Sequence, residues 1–328
     1  MTNYERLRTC IVVLVLCSFL HPINSALWGM DYTKTKVISI SLETGAATVV
    51  GRLPTNYFFT GSQCTADPVN KIIYFIGRTE IYPRAIIGMN LETGQVSTTI
   101  PIIELAAVGA IGFNILDGFI IAVGAGPNYN PPYQAISYDP SRDSPTQNLG
   151  SLSTGTWSYT SDMGAAIDST YNAAWFHSNL IQESGSTQKQ LVKIDLTRNV
   201  ITYYNDTNDY LSFFFSRQRG EMVGASIGTA TYSGGVYSGN FGLSNFSSNS
   251  PGAQMYYFPL PYNVAIPQCS TFDQTEGSAG TIYGVFADGT NGYVLAGIDS
   301  SNGKAVSQVL LNSGNMSQYP YSCVVWTE

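Results

Sequence analysis

Few residues of this 328-residue chain are arranged to do chemistry. Gly224-Ala225-Ser226-Ile227-Gly228 matches the G-x-S-x-G pattern of a nucleophile elbow. Such an elbow needs a strand before the serine, a helix after it, and an acid and then a histidine downstream. Here Thr229 to Gly235 is rich in Gly, Ser and Thr, and His177 lies upstream, so Ser226 reads as a strand residue among small neighbours. His177 follows Trp175-Phe176, and apart from His21 it is the chain's one histidine. A single imidazole cannot supply the several that most catalytic zinc sites use, so it reads as structural. No CxxC, HExxH, EF-hand spacing, P-loop or helix-opening GxGxxG occurs, and neither a metal nor a cofactor is expected. The acids of a glycosidase can lie far apart in sequence. Asp67, Asp168 and Asp273 nevertheless recur at matching places, which assigns them to turns, while Asp162 and Glu221 are expected near a channel mouth. No residue is assigned a catalytic role.

The elements that must position these residues begin after a leader. Arg6 and Arg8 precede the apolar run Cys10 to Leu20, followed by Pro22 and the small residues Ser25 and Ala26. That is a signal-peptide layout, and the run is about half the roughly 20 residues a membrane-spanning helix needs. Residues 1–26 are therefore read as a signal peptide and 27–328 as one secreted domain with no membrane span. Sequons at Asn205, Asn245 and Asn315 are the expected glycosylation sites. Loss of the leader removes Glu5, Arg6 and Arg8 and takes the formal charge from −7 to −8. With 15 Lys and Arg and no basic run, nucleic acid is excluded as a partner. Cys64, Cys269 and Cys323 remain, an odd number that cannot be a disulfide framework. They are read as buried free thiols, with one neighbouring pair open to bridging.

Low charge (11%), 32 Gly and 22 Tyr favour an all-β fold. The organising signal is a hairpin: Val37 to Leu42, the turn Leu42-Glu43-Thr44-Gly45, then Ala47 to Val50. About fifty residues on, Leu91-Glu92-Thr93-Gly94 repeats it, the glycine providing positive φ at the turn. Weaker copies occur at Tyr138 to Asp143, Asp195 to Asn199 and Ile298 to Gly303, with a degraded one between Ser250 and Asn263. A strand, turn and strand precede each hairpin, as in Cys64 to Phe75, Ala165 to Phe176 and Ser270 to Phe286. Four strands per repeat and six repeats predict a six-bladed β-propeller, with seven blades the alternative. Tyr321 to Trp326 supplies an inner strand and Leu27 to Met30 the second, so one blade is shared between the termini and the ring is closed.

The alternating strand, the acidic or Asn residue, the Thr-Gly turn and the second strand resemble the repeats of the broad YVTN and quinoprotein-like propeller superfamily. The resemblance covers nearly all of residues 27–328 and implies the fold alone. The quinoprotein repeat usually has Trp after its Thr-Gly turn; Val49 and Ile100 stand in that neighbourhood, so no bound quinone is implied.

Four segments share the pattern aromatic, any residue, aromatic, Ser or Thr: Tyr57 to Thr60, Trp157 to Thr160, Phe213 to Ser216 and Tyr319 to Ser322. Read as leading into inner strands, they are expected around one channel mouth, with both aromatics of each copy on one side of the strand. Two roles fit: wedges between blades, because aromatics bury large apolar areas, or a binding face. The binding face consists of Tyr57, Phe59, Trp157, Tyr159, Phe213, Phe215, Tyr319 and Tyr321, with Asp162, Arg217 and Arg219 as polar contacts. It would make the chain an extracellular binding protein for a carbohydrate or protein ligand. The alternative is a secreted hydrolase or lyase acting on sugars through dispersed carboxylates.

Overall fold

A computed structural model of the chain describes residues 26–31, 33–127, 133–142, 145–152, 156–158, 166–168, 171–181, 187–206, 210–216, 221–227, 231–233, 236–238, 241–247, 250–258, 263–264, 270–273, 280–287, 293–302, 304–311 and 321–326. The expected signal peptide therefore lies outside the described residues up to position 25. Among the described residues every regular element is a strand, and no helix is long and apolar enough to cross a membrane.

Among the described residues the strands hydrogen-bond into six sheets. In the first, Tyr321–Trp326 is the inner strand, followed outward by Ala26–Asp31, Lys36–Ser41 and Ala47–Arg52. The second runs Tyr57–Asp67, Ile72–Thr79, Ala85–Asn90, Val96–Pro101, and the third Ala107–Asn114, Phe119–Ala125, Tyr133–Tyr138, Pro145–Ser151. In the fourth, Thr156–Ser158 and Ala166–Asp168 both pair with Ala173–Ile181, with Thr187–Asp195 and Val200–Asp206 outside them. Tyr210–Ser216, Glu221–Ile227, Phe241–Ser247 and Ser250–Phe258 form the fifth. Ser270–Asp273, Thr281–Ala287, Tyr293–Asp299 and Ala305–Leu311 form the sixth, which gains Asn263–Val264 and a small hairpin. The degraded turn expected between Ser250 and Asn263 is corrected, because Ser250–Phe258 is itself an outer strand paired with Phe241–Ser247.

Each inner strand packs against that of the next sheet, and Ser270–Asp273 packs against Tyr321–Trp326, so the order is cyclic. The termini meet as the sequence suggests: Leu27 pairs with Trp326, Trp28 with Val325 and Gly29 with Val324. The core is accordingly a set of wedges between sheets. Met30 and Val37 meet Phe59, Phe75, Ile87 and Met89 between the first and second. Tyr74, Ile86 and Ile100 meet Ile111, Ile120 and Ile136 between the second and third. A strand in the middle of such a sheet is buried on both faces, so Ile73, Tyr74, Phe75 and Ile76 form a continuous buried run without alternation.

The Leu-Glu-Thr-Gly turns do more than reverse the chain. Gly45 and Gly94 both have φ +67°, as a residue ending such a turn needs. Gly94 also abuts the outer strand of the first sheet, where a Cβ would lie 2.2 Å from the Val50 carbonyl oxygen. Gly45 abuts the outer strand of the sixth sheet, where a Cβ would lie 2.8 Å from Leu311 Cδ2. Glycine here thus sets how closely neighbouring sheets approach. Gly118 has φ +76° with nothing within 4 Å of its Cβ position, so it isolates the conformational part. Gly118→Ala is expected to cost about 1–2 kcal/mol from left-handed strain alone. Gly94→Ala should cost about 1–3 kcal/mol beyond that through overpacking. Equal losses in urea unfolding of the two variants would show that the inter-sheet contact contributes nothing.

Candidate functional site

The ring has two chemically different ends. At the turn end, where inner strands finish, Asp67, Asn114 and Asp168 occupy one repeated position and are 4%, 0% and 0% exposed. Asp67 Oδ1 accepts the N–H groups of Val69 and Asn70 at 2.9 and 3.0 Å, and its Oδ2 accepts from Asn70 Nδ2 at 2.7 Å. Asp168 Oδ1 accepts the Tyr171 N–H at 3.0 Å, and Asn114 Oδ1 that of Leu116 at 3.2 Å. Asn114 Nδ2 also donates across sheets to Asn172 Oδ1 at 2.8 Å. Outer turns repeat the device, with Asp195 Oδ1 and Asp299 Oδ1 accepting backbone N–H groups at 2.8–3.0 Å. These side chains replace backbone partners the turns lack.

Buried phenols nearby are equally unsuited to proton transfer. Burial pushes the Tyr74 hydroxyl far above the ordinary range, helped by the Asp67 charge. Burial and the hydrogen-bonded Glu104 carboxylate do the same for Tyr138. Ser226 lies in a strand paired on both sides, to Tyr210 and Gly242, which is not an elbow. Among the described residues no group of His, Cys, Asp and Glu is placed to hold a metal ion.

The mouth end, where inner strands begin, is irregular. Among the described residues, pairing of the inner strand slips at a similar depth in four sheets. One residue is extra in three of them: Ser322 in the first, Gly109 in the third and Leu211 in the fifth. The second gains more: residues 60–63 fall between the pairs Phe59–Gly77 and Cys64–Phe75, opposite Ile76 alone. In the fourth and sixth sheets two separate segments pair with the second strand, Thr156–Ser158 and Ala166–Asp168 in one, Asn263–Val264 and Ser270–Asp273 in the other. The same end carries the hairpin Thr231–Ser233 and Val236–Ser238, an excursion from the fifth sheet that pairs with the sixth through Tyr237 and Val264.

Basic side chains gather here beside the first two sheets. Asp31, 7% exposed, accepts the N–H groups of Thr35 and Lys36 at 3.0 and 2.9 Å and the Thr33 hydroxyl. Lys36 Nζ lies 3.8 Å from its Oδ2. Lys34 is exposed, 5.4 Å from the Phe59 ring centre, and Arg78 covers the Phe58 ring at 4.9 Å. Arg84 Nη1 donates to the carbonyls of Leu105, at 3.2 Å, and Ala106, fastening the loop that enters the third sheet.

The structure divides the sequence-derived aromatic set. Tyr57 is half-buried against the wedge between the first two sheets, its hydroxyl 3.3 Å from Thr99 Oγ1. Phe59 is 5% exposed in that wedge, edge-on to Phe75 at 5.4 Å. Trp157 and Tyr321 lie on strands that open their sheets. Phe213 and Phe215 depart from the expected place: they sit in the far half of Tyr210–Ser216, with Ser216 paired to Glu221 at the turn end. That pairing separates Glu221 from the mouth. Phe215 is 3% exposed against Trp175 and Met222. Tyr159, Asp162, Arg217, Arg219 and Tyr319 lie outside the described residues. Cys64 corrects the free-thiol reading, since it is disulfide-bonded. Sequence reasoning missed Phe58, 45% exposed under Arg78. Period-two spacing was the available signal, because burying Phe59 turns its neighbour outward.

No protein-family model and no curated protein sequence matches the chain. Solved structures do. TolB from Acinetobacter baumannii aligns with a TM-score of 0.60 at 13% identity over 92% of this chain, which spans 66% of the TolB chain, just under two thirds. A Bacteroides caccae protein of unknown function aligns with a TM-score of 0.55 at 12% identity, over 93% of this chain and 99% of its own. Oligogalacturonate lyase from Vibrio parahaemolyticus gives 0.50 at 12% identity, over 87% and 73%. At such identities the likeness is one of fold. The class is that of all-β rings of antiparallel sheets, and the chain is a β-propeller.

Phe59→Ala is expected to cost about 3–5 kcal/mol of stability. Phe58→Ala should stay within about 1 kcal/mol, the size of an exposed cation–π contact. Thermal melts of the two variants check this, and a similar loss in both would show that Phe58 is core as well.

Proposed function

We propose that residues 27–328 are a six-bladed β-propeller, exported behind the leader 1–26, that binds an extracellular carbohydrate or protein ligand at the mouth end. The observation that carries this reading is the register break that four inner strands share at that one end. Regular strands need no such breaks, and bulges re-aim side chains beside binding and active sites. The six sheets and their cyclic contacts support the blade count. Tyr57, Trp157, Tyr159, Asp162, Tyr319 and Tyr321 remain the ligand contacts, with Phe59 as their support from below. Phe58 and the exposed cations Lys34, Arg52 and Arg78 join them. Cations at the mouth of a chain of net charge −7 favour ligands bearing carboxylate or sulfate groups. Hydrolysis or elimination through dispersed carboxylates gains nothing from Asp67 and Asp168, which serve turns at the opposite end.

The test is an array of neutral and acidic glycans and secreted proteins probed with the purified secreted chain. Binding without product release is expected, weakening as salt rises. Lys34→Glu with Arg78→Glu should lower affinity at least about tenfold, the scale of two lost charge contacts, while Lys71→Glu at the turn end leaves it unchanged. The reverse pattern would move the site to the other end, and release of shortened sugars would make the chain an enzyme.

Export also distinguishes the sequons. Asn205 is exposed near the end of the outer strand of the fourth sheet, whereas Asn245 sits in the third strand of the fifth, paired with Val223 and Gln254. A glycan is expected on Asn205 and not on Asn245, and glycopeptide mass mapping of protein secreted from a eukaryotic cell decides it. A glycan on Asn245 would contradict the accessibility argument.

A further inference from the structure

The partner of the Cys64 disulfide follows from the topology. Cys64 is paired in register with Phe75, and Cys323 with Met30. Phe75 and Met30 are completely buried members of one wedge between the first and second sheets, and Cys64 packs against that wedge. Residues directly opposite in an antiparallel pair project from the same face of a sheet. Both cysteine positions therefore belong to the same inter-sheet seam. They also share a depth, since each directly follows the register break of its inner strand.

Cys269 is the remaining cysteine of residues 27–328. It directly precedes Ser270–Asp273, and that strand packs against Tyr321–Trp326, on the far side of Tyr321–Trp326 from Tyr57–Asp67. A disulfide needs Cα atoms within about 7 Å. Adjacent inner strands approach to that order, whereas two strands with a third between them do not. We infer that Cys64 and Cys323 are disulfide-bonded to each other, which fixes the last strand of the chain to the second sheet and leaves Cys269 a thiol. The bond forms as the two thiols give two protons and two electrons to a small-molecule or protein disulfide, itself reduced to two thiols. The crosslink joins the segments that follow Tyr57 to Thr60 and Tyr319 to Tyr321, so it also holds two of the proposed ligand-contact segments at a fixed spacing. That consequence rests on the proposed binding site; the bond itself does not.

The test is alkylation of the secreted full chain in denaturant without reductant, then digestion and mass spectrometry. A Cys64 peptide linked to a Cys323 peptide is expected, with alkylation on Cys269 alone. A Cys64–Cys269 link, or alkylation of all three, overturns the inference. Cys64→Ser, Cys323→Ser and the double variant should each lower the melting temperature by the same amount, about 5–10 °C, and Cys269→Ser should leave it in place. A lower melting temperature for Cys269→Ser equal to that of Cys64→Ser overturns the pairing. Absence of any ligand would leave the peptide map unaffected, so the bond and the binding site fail separately.

Discussion

Everything in this architecture depends on antiparallel pairing between Ala26–Asp31 and Tyr321–Trp326. A row of twisted sheets that does not close has two outer faces, each lined with apolar side chains and lacking a neighbour. Closure gives every sheet a neighbour on both sides, which is why strands such as Ile72–Thr79 and Ala85–Asn90 each tolerate five consecutive buried residues. Leu27 and Met30, at the seam itself, are fully buried. Gly45 reinforces the seam by seating its turn on Leu311 and Val309 of the sixth sheet. The seam thus combines main-chain hydrogen bonds on the inside with close backbone packing on the outside.

The two ends of the ring divide the work. At the turn end the chain reverses tightly, and Asp67, Asn114 and Asp168 satisfy backbone donors that would otherwise be stranded beneath the surface. That end is repetitive because each sheet solves the same local problem. The mouth end differs from sheet to sheet, from a single extra Ser322 to the residues 60–63. Variation on a rigid frame is how one fold presents different surfaces, since an irregular segment can change without disturbing the wedges beneath it.

How much of this was legible depended on whether the cause was local. The turns at Gly45 and Gly94 could be read because positive φ selects glycine, and the shared blade because a lone inner strand at 321–326 matched a start lacking one. The second role of those glycines was not legible, because contact with Val50 or Leu311 is set by the neighbouring sheet. Aromatic, any residue, aromatic is the same word wherever it sits on a strand. Only the pairing of Ser216 with Glu221 shows that Phe213 and Phe215 lie at the opposite end from Tyr57 and Phe59. Register breaks leave no residue signature, since the single extra residue is Ser322 in one sheet, Gly109 in another and Leu211 in a third. The cysteines read as separate thiols because their proximity exists only once the ring has closed.

Closure has a consequence for the birth of the molecule. Ala26–Asp31 leaves the ribosome roughly 300 residues ahead of its inner partner Tyr321–Trp326. At about 5–20 residues per second the first strand waits on the order of 15–60 s for the other. Throughout that time one edge of its hairpin with Lys36–Ser41 stays unpaired and the wedge around Met30 lacks a wall. The nascent chain is thus an open arc whose unpaired edge can pair with another copy of itself.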